Sequence, residues 1–394
     1  MGDNDKMVSQ HEFSNADSLI TIDLDAIVAN WRYLDSLSPG TTLTAGVVKA
    51  NAYGLGADKV APSLAAAGCK LFFVMSLEEG INLRADLRAA GHEAIPIFCL
   101  SGCHAGHEPE FLHHGLSPVI NDLTQIARLG MFAQRHDIRI PAALHIDTGM
   151  SRLGLNDDET DWLIEHSQDG ANALEGIDLV YVMSHLASAE DPDSPSNKQQ
   201  LDAFRALMPF FPNAKASLAN SGGVLLGTDY QFDMTRPGIA LYGEHPAGMM
   251  HRADQRTAAQ KLRCAVTWDA RILQLRQAKS GDAVGYGGTH VLTRDSLIAT
   301  VGVGYADGYQ RCLGGVATAM VAGHKVPVIG RVSMDSLALD VTDIPQNEIR
   351  TAVFARLLGE AYTVGMMAND AGTIGYEILT GLGRRPARRY LGDR

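Results

Sequence analysis

The run Leu43-Thr44-Ala45-Gly46-Val47-Val48-Lys49-Ala50-Asn51-Ala52-Tyr53-Gly54-Leu55-Gly56, followed by Ala57–Ala67 and Leu71–Met75, decides the fold. A short β-branched run ends on a polar residue and passes through a glycine-bearing turn. An amphipathic stretch with apolar residues at three- and four-residue steps follows, then a second apolar run: strand, helix, strand. The same rhythm continues along the chain. Strands are expected at Leu43–Val48, Leu71–Met75, Ala94–Leu100, Leu116–Ile120, Arg139–Asp147, Ile177–His185, Lys215–Asn220 and Gln231–Met234. Helices are expected at Ala57–Ala67, Leu77–Ala90, Leu123–Gln134, Glu159–Ser167 and Lys198–Phe210. Alternating βα units imply parallel strands with right-handed crossovers. Eight of them before Met250 fit an α/β fold with a closed TIM-like (β/α)8 barrel, typically ~250 residues, better than an open doubly wound sheet.

After Met250 the rhythm changes. His251–Lys261 is polar and reads as a linker. Beyond it, Ala265–Leu275, Ser296–Val303, Ala317–Val321, Lys325–Ile329 and Ser336–Val341 are short strands set apart by Gly, Asp and Pro turns, with a helix expected over Asn347–Leu358. The reading is a barrel over residues 25–256 and a mostly β C-terminal domain over 257–394, joined by an N-terminal strand at 18–24. A chain of 394 residues accommodates both.

Composition excludes more than it assigns. The 33 basic residues against 45 acidic ones give a net charge of −12, which disfavours a nucleic-acid or acidic-membrane partner. No uncharged apolar run of about 18 residues is present, so no membrane span is expected. The first twenty residues, with Asp3, Asp5, His11 and Glu12, lack a basic start and an apolar core, so a cytoplasmic protein is expected. Five cysteines are too few for a disulfide scaffold. Cys99, Cys103, His104 and His107 lack a paired metal-ligand spacing, and no metal is expected.

Barrel enzymes place their chemistry at the C-terminal ends of the strands. Lys49 ends the first strand, where partial desolvation makes an amine nucleophilic; taken alone it also reads as a surface lysine at a strand exit. His185 follows the sixth strand. Ser221-Gly222-Gly223 follows the seventh, and Arg236-Pro237-Gly238-Ile239 the eighth. The last two loops supply a hydroxyl and exposed N–H groups suited to a phosphate, although each alone is an ordinary glycine-rich turn. With a lysine at the first strand, they suit a phosphorylated aldehyde bonded at one end and cradled at the other; pyridoxal phosphate answers that description. Gly302-Val303-Gly304-Tyr305-Ala306-Asp307-Gly308 imitates a dinucleotide fingerprint, but its third glycine comes one residue late and no helix is expected after it.

Seven segments carry a family resemblance, spread between Ser18 and Tyr390. They are Val48–Gly56, Asp147-Thr148-Gly149-Met150-Ser151-Arg152-Leu153-Gly154, Arg236–Gly243, Gly285-Tyr286-Gly287, Gly304–Tyr309, Gly330-Arg331-Val332-Ser333-Met334-Asp335 and Gly372-Thr373-Ile374-Gly375-Tyr376-Glu377. With these in order the chain resembles the bacterial alanine racemases, pyridoxal-phosphate enzymes of fold type III. The resemblance implies interconversion of L- and D-alanine by two bases on opposite faces of the cofactor, supplying D-alanine for peptidoglycan. It makes Lys49 the lysine that carries the cofactor covalently and Tyr286 the opposing base, entering from the partner of a homodimer with shared active sites. A free tyrosine releases its proton only near pH 10, so a base needs help; the resemblance assigns that help to His185, beside the cofactor. Arg236 would face the pyridine nitrogen and, being always protonated, would leave that nitrogen largely unprotonated. Arg152 would contact the cofactor phenolic oxygen and the substrate carboxylate, with the Met334 N–H assisting. Tyr53, Ser221, Gly238, Ile239 and Tyr376 would hold the phosphate, and Tyr305, Asp191 and Arg311 would line the entryway.

Two positions depart from the family pattern. His145 stands where many members carry a carbamylated lysine that positions the arginine matching Arg152. An anion such as chloride between His145 and Arg152 is one substitute. Ser333 stands where cysteine is common. Three rivals remain: a fold type III decarboxylase, which would place an acid where Arg236 stands; a non-catalytic pyridoxal-phosphate barrel, which would lack the second domain; and a racemase for serine, lysine or another amino acid.

Overall fold

The computed structural model describes residues 16–168, 173–248 and 261–393. It falls into two units, one of Ala26–Arg263 and one of Met1–Asp25 with Cys264–Arg394. In chain order the first strands are β1 (Ser18–Asp23), β2 (Leu43–Thr44), β3 (Gly46–Val47), β4 (Phe72–Val74), β5 (Ile97–Cys99), β6 (Ser117–Ile120), β7 (Ile140–His145), β8 (Ile177–Met183), β9 (Lys215–Ser217) and β10 (Met234–Thr235). Strands β3 to β9 form a seven-stranded sheet in sequence order, every pair parallel. The eighth strand, β10, pairs parallel with β2, Met234 opposite Leu43. It is also tied to the β9 segment, because Asp233 N–H donates to Ala216 O at 3.1 Å and Arg236 N–H to Ala219 O at 2.9 Å. These bonds close the ring: the α/β barrel expected from the βα rhythm.

Helices return the chain between strands, and their starts are chemically marked. Ser76 Oγ accepts from Glu79 N at the head of Leu77–Ala89, and Asp122 Oδ1 from Gln125 N at the head of Leu123–His136. Phe72, Phe73 and Phe98 fill the sheet side of the core, with the rings of Phe73 and Phe98 stacked at 5.4 Å.

The second unit continues with β11 (Val266–Ala278), β12 (Ala283–Val284), β13 (His290–Val291), β14 (Ser296–Val301), β15 (Thr318–Val321), β16 (His324–Ile329), β17 (Leu337–Asp340), β18 (Phe354–Leu358) and β19 (Ala387–Leu391). The thirteen-residue β11 bends at two irregularities in its pairing. Its first half pairs with β18 and its second half with β14, so β14-β17-β16-β15-β18-β11 closes on itself. β1 lies against β11 and is flanked on its other side by β19. The helix expected over Asn347–Leu358 is a correction: four residues, Gln346–Ile349, are helical, and Phe354–Leu358 is a strand between β15 and β11. The linker read at His251–Lys261, and with it the boundary at 256–257, lies outside the described residues apart from Lys261. Among the described residues no helix is long and apolar enough to cross a membrane.

Candidate active site

Lys49 leaves β3 at the C-terminal mouth of the barrel. The residues that follow it adopt an unusual path: Ala50, Asn51, Ala52 and Tyr53 have φ of 53°, 56°, 52° and 56°. Four consecutive non-glycine residues in the left-handed region cost about 1 kcal/mol or more each, so the turn needs outside support. Backbone bonds Ala52 N to Val48 O and Gly54 N to Ala50 O, each 2.8 Å, hold it internally. Asn51 Oδ1 accepts from Ala57 N at 2.9 Å, and Glu79 Oε1 from Ala50 N at 2.7 Å. Burial lowers the pKa of the Lys49 amine, the Arg152 charge lowers it further, and Glu79 partly opposes both.

Arg236 is buried at 4% exposure and projects from the end of β10. Its guanidinium donates to Ser217 Oγ and to the Ser184 carbonyl, the latter at 2.5 Å, and lies 6.0 Å from the Phe73 ring centre. Among the described residues no carboxylate pairs with it. Burial pushes its pKa down to about 9, so it keeps its charge at neutral pH. Two histidines share this surrounding. His185 is held well below the usual imidazole value by burial and by Arg236, Arg152, His145 and Lys49. His145 is pushed down to about 4 by burial and the Arg236 charge. Its Nδ1 lies 2.9 Å from Asn121 Oδ1, and Asn121 spends its amide donors on Leu100 O and Val119 O. His145 Nδ1 is therefore the donor, and its Nε2 is left as an acceptor. With the ring neutral, the charge of the His145 and Arg152 pair rests on Arg152.

The loop carrying Arg152 folds back over His145. Asp147 accepts N–H bonds from Gly149, Met150 and Ser151 at 2.9, 2.7 and 2.6 Å, and Leu155 N–H donates to His145 O. Arg152 itself is exposed.

The expected phosphate loops do converge. Asn220 caps the short helix Ser221–Leu226, accepting from Gly223 N. Ser221 Oγ accepts from Gly238 N at 2.9 Å and from Ala240 N at 3.3 Å. A Cβ on Gly238 would lie 2.2 Å from Tyr53 Oη, so glycine is what admits the tyrosine hydroxyl there. Tyr53 in turn packs 4.8 Å from the Tyr242 ring, whose hydroxyl donates to Val47 O. Tyr53, Ser221, Gly238 and buried Ile239 thus form one small-atom cradle, with Lys49 and Arg236 at neighbouring strand ends. The donor set fits pyridoxal phosphate. Asp191, on the loop after β8, accepts from Asp193 N and, through its carbonyl, from Asn197.

The remaining expected residues lie in the second unit. Tyr286 opens the turn Tyr286–Gly288 at the tip of the β12–β13 hairpin and is 72% exposed. Tyr305 N–H donates to Ser333 O, and Ala306 N–H to Met334 O, which zips the Tyr305 and Met334 turns together. Arg385 clamps the same pair: it grips the buried Asp307 carboxylate with two N–H groups at 2.5 and 2.7 Å and reaches Asp335 at 2.6 Å. Arg311, exposed, starts the turn Arg311–Leu313, and Tyr376 lies in the helix Gly375–Thr380. Cys99 and Cys103 are buried, their thiols pushed up to about 12.

Sequence reasoning missed Glu79, Asn121 and Arg385. Ser76-x-x-Glu79 carries a helix-capping signature, which explains the position without hinting at Ala50. Asn121 and Arg385 carry no local signal.

Comparison with known proteins agrees with this geometry. The alanine racemase N-terminal domain family matches residues 22–246 and the C-terminal domain family residues 265–390. Alanine racemase of Rhodospirillum rubrum is 46% identical over 385 residues, covering 98% of each chain. That of Rhizobium meliloti is 43% identical over 393 residues, 97% of this chain and 98% of its own. A crystal structure of alanine racemase from Bartonella henselae with covalently bound pyridoxal phosphate superimposes with a TM-score of 0.86 at 38% identity, covering 95% of this chain and 100% of that one. The biosynthetic enzyme of Pseudomonas aeruginosa gives 0.84 at 34% identity, covering 95% and 99%.

Proposed function

The chain belongs to the alanine racemase family, and on that premise we propose how its own residues carry out the pyridoxal-phosphate-dependent interconversion of L- and D-alanine. Bound at the barrel mouth, the cofactor supplies an electron sink that acidifies the α-hydrogen of the amino acid joined to it. The Lys49 amine, its proton affinity reduced by burial and by Arg152, takes and returns that proton on one face. On the other face the Tyr286 phenolate oxygen takes the proton and, once protonated, returns it, with His185 hydrogen-bonding that oxygen and lowering its proton affinity. Two bases on opposite faces are what inversion at a carbon requires.

Arg236 carries the reading. A guanidinium bonded to Ser217 and Ser184, with no acid beside it among the described residues, donates toward a ring nitrogen and cannot take the nitrogen's proton. That sets a racemase site apart from a decarboxylase, which needs an acid there. Tyr53, Ser221, Gly238, Ile239 and Tyr376 hold the phosphate. Arg152 and the Met334 N–H hold the substrate carboxylate, with Arg152 also on the phenolic oxygen. Tyr305, Asp191 and Arg311 line the entry, and a mouth narrowed by Tyr305 and Tyr376 favours a methyl side chain.

Tyr286, exposed at a hairpin tip, is suited to reach a neighbouring barrel. The working form is a homodimer with shared sites, acting in the cytoplasm to supply D-alanine for peptidoglycan. A chiral assay of purified protein with L-alanine, L-serine and L-lysine, with Lys49→Ala as control, tests the scheme. Alanine is expected to turn over fastest, and Lys49→Ala to lose both turnover and the visible absorption of the covalently held cofactor. Equal turnover of lysine and alanine would reject the narrow entry, and full activity in Tyr286→Phe would reject the two-base scheme.

A further inference from the structure

The geometry points to Glu79 as a positioning residue for Lys49: its carboxylate bridges the amides that follow the first and second barrel strands and thereby fixes the left-handed turn that aims the lysine. This rests on the reading of Lys49 as the catalytic lysine. Glu79 Oε1 accepts from Ala50 N and Oε2 from Met75 N, each at 2.7 Å, so one side chain spans the exits of β3 and β4. Glu79 sits at the third position of its helix, where the usual capping-box partner would be the N–H of Ser76. Its carboxylate passes that donor over for Met75 and Ala50. The Ala50 amide needs an acceptor in particular, because it stands at the start of the turn and has no backbone carbonyl within it; the first internal bond of the turn is made by Ala52 N. Bonds from backbone N–H to a carboxylate are the stronger kind, and Glu79 applies one at each end of its span. The Ala50 bond lies one peptide beyond the lysine. Lys49 can therefore stay at a fixed depth in the barrel mouth while the next four residues hold a conformation that L-residues otherwise avoid.

Amide hydrogen exchange on the holoenzyme, compared among the wild type, Glu79→Gln and Glu79→Ala, tests this. In Glu79→Ala the Ala50 and Met75 amides are expected to exchange about ten- to a hundredfold faster, the loss of one charge-assisted bond each. In Glu79→Gln one oxygen remains as an acceptor, while the amide nitrogen faces an N–H, so one amide is released and the other kept. With alanine as substrate, kcat should fall in both variants with KM nearly unchanged, because Glu79 has no part in holding the substrate. Unchanged exchange at Ala50 in Glu79→Ala overturns the proposal, as does a loss of protection spread evenly over the barrel, or a rise in KM at constant kcat. Failure of the underlying reading would show separately, as cofactor still covalently held in Lys49→Ala.

Discussion

At the residue scale the most informative side chain is His145, because the surrounding protein dictates its protonation state. Burial and the Arg236 charge hold its pKa near 4, against 6.5 for the free ring. Between those values the unfolded chain takes up a proton that the folded chain refuses. The stability contributed by the neutral ring is therefore complete above about pH 6.5 and drains away as the pH falls toward 4. Going from about pH 6.5 to about pH 5, the wild type should lose roughly 2 kcal/mol through this ring. His145→Asn keeps an N–H donor for Asn121 Oδ1 but cannot titrate. Urea denaturation at the two pH values should show the wild type losing about that much more than the variant, and equal losses would remove His145 from the acid response. His185 shifts in the same sense, chiefly through burial and the Arg236 charge, which both proteins share, so most of its contribution cancels. The strand-end positions of Lys49 and Arg236 were legible from the βα rhythm, while Tyr286 stood out only through the family segment Gly285-Tyr286-Gly287. Glu79 and Asn121 were not legible, since each acts on a residue 29 or 24 positions away and sequence spacing carries no trace of that pairing.

At the scale of elements, the chain was legible where periodicity and environment agree. The eight barrel strands are short, mostly buried runs, and the structure has a strand at each. Legibility fails where tertiary pairing overrides local preference. Ala352–Leu358 is rich in Ala, Arg and Leu and reads as helix, yet Phe354–Leu358 fills the gap between β15 and β11 and is drawn into the sheet. The left-handed turn after Lys49 likewise escapes, because Ala-Asn-Ala-Tyr advertises no such backbone. The phosphate cradle joins three elements at one close approach, and it should respond as a unit. Gly238→Ala would place a methyl where Tyr53 Oη lies, and overpacking of this kind costs about 1–3 kcal/mol. Cofactor affinity should fall with stability. Tyr53→Phe removes the nearest clashing atom, so the double variant should lose less than the sum of the singles, as a double-mutant cycle would read; Gly40→Ala, with open space around it, should be silent. Arg385 tests the second unit in the same way. Arg385→Met leaves the buried Asp307 carboxylate without its guanidinium and loosens the zipped Tyr305 and Met334 turns. The melting temperature should drop and KM for alanine should rise, and adding Asp307→Asn should cost little more than the single change. Full additivity of the two would show that the clamp does not act as a pair.

At the scale of the whole molecule, Lys49 belongs to the barrel unit, at its mouth, and Tyr286 to the other unit, 72% exposed on a hairpin. If each active site draws Lys49 from one subunit and Tyr286 from its partner, two individually inactive proteins can repair each other. Lys49→Ala and Tyr286→Phe are each expected to be nearly inactive alone. Mixed, dissociated and reassociated in equal amounts, half of the dimers are hybrids. In each hybrid one site carries both substitutions and the other carries neither, so total activity should recover to about a quarter of the wild-type value. A barrel that used its own Tyr286 would give no recovery, because every site would still hold one defect. The same experiment at rising salt separates the contacts that bring the subunits together from the chemistry. With a net charge of −12 on each chain, approach of two copies is opposed by like charge, and added salt should speed reassociation without raising the plateau. A plateau that climbed with salt would instead mean that incomplete assembly, not site composition, had set the quarter.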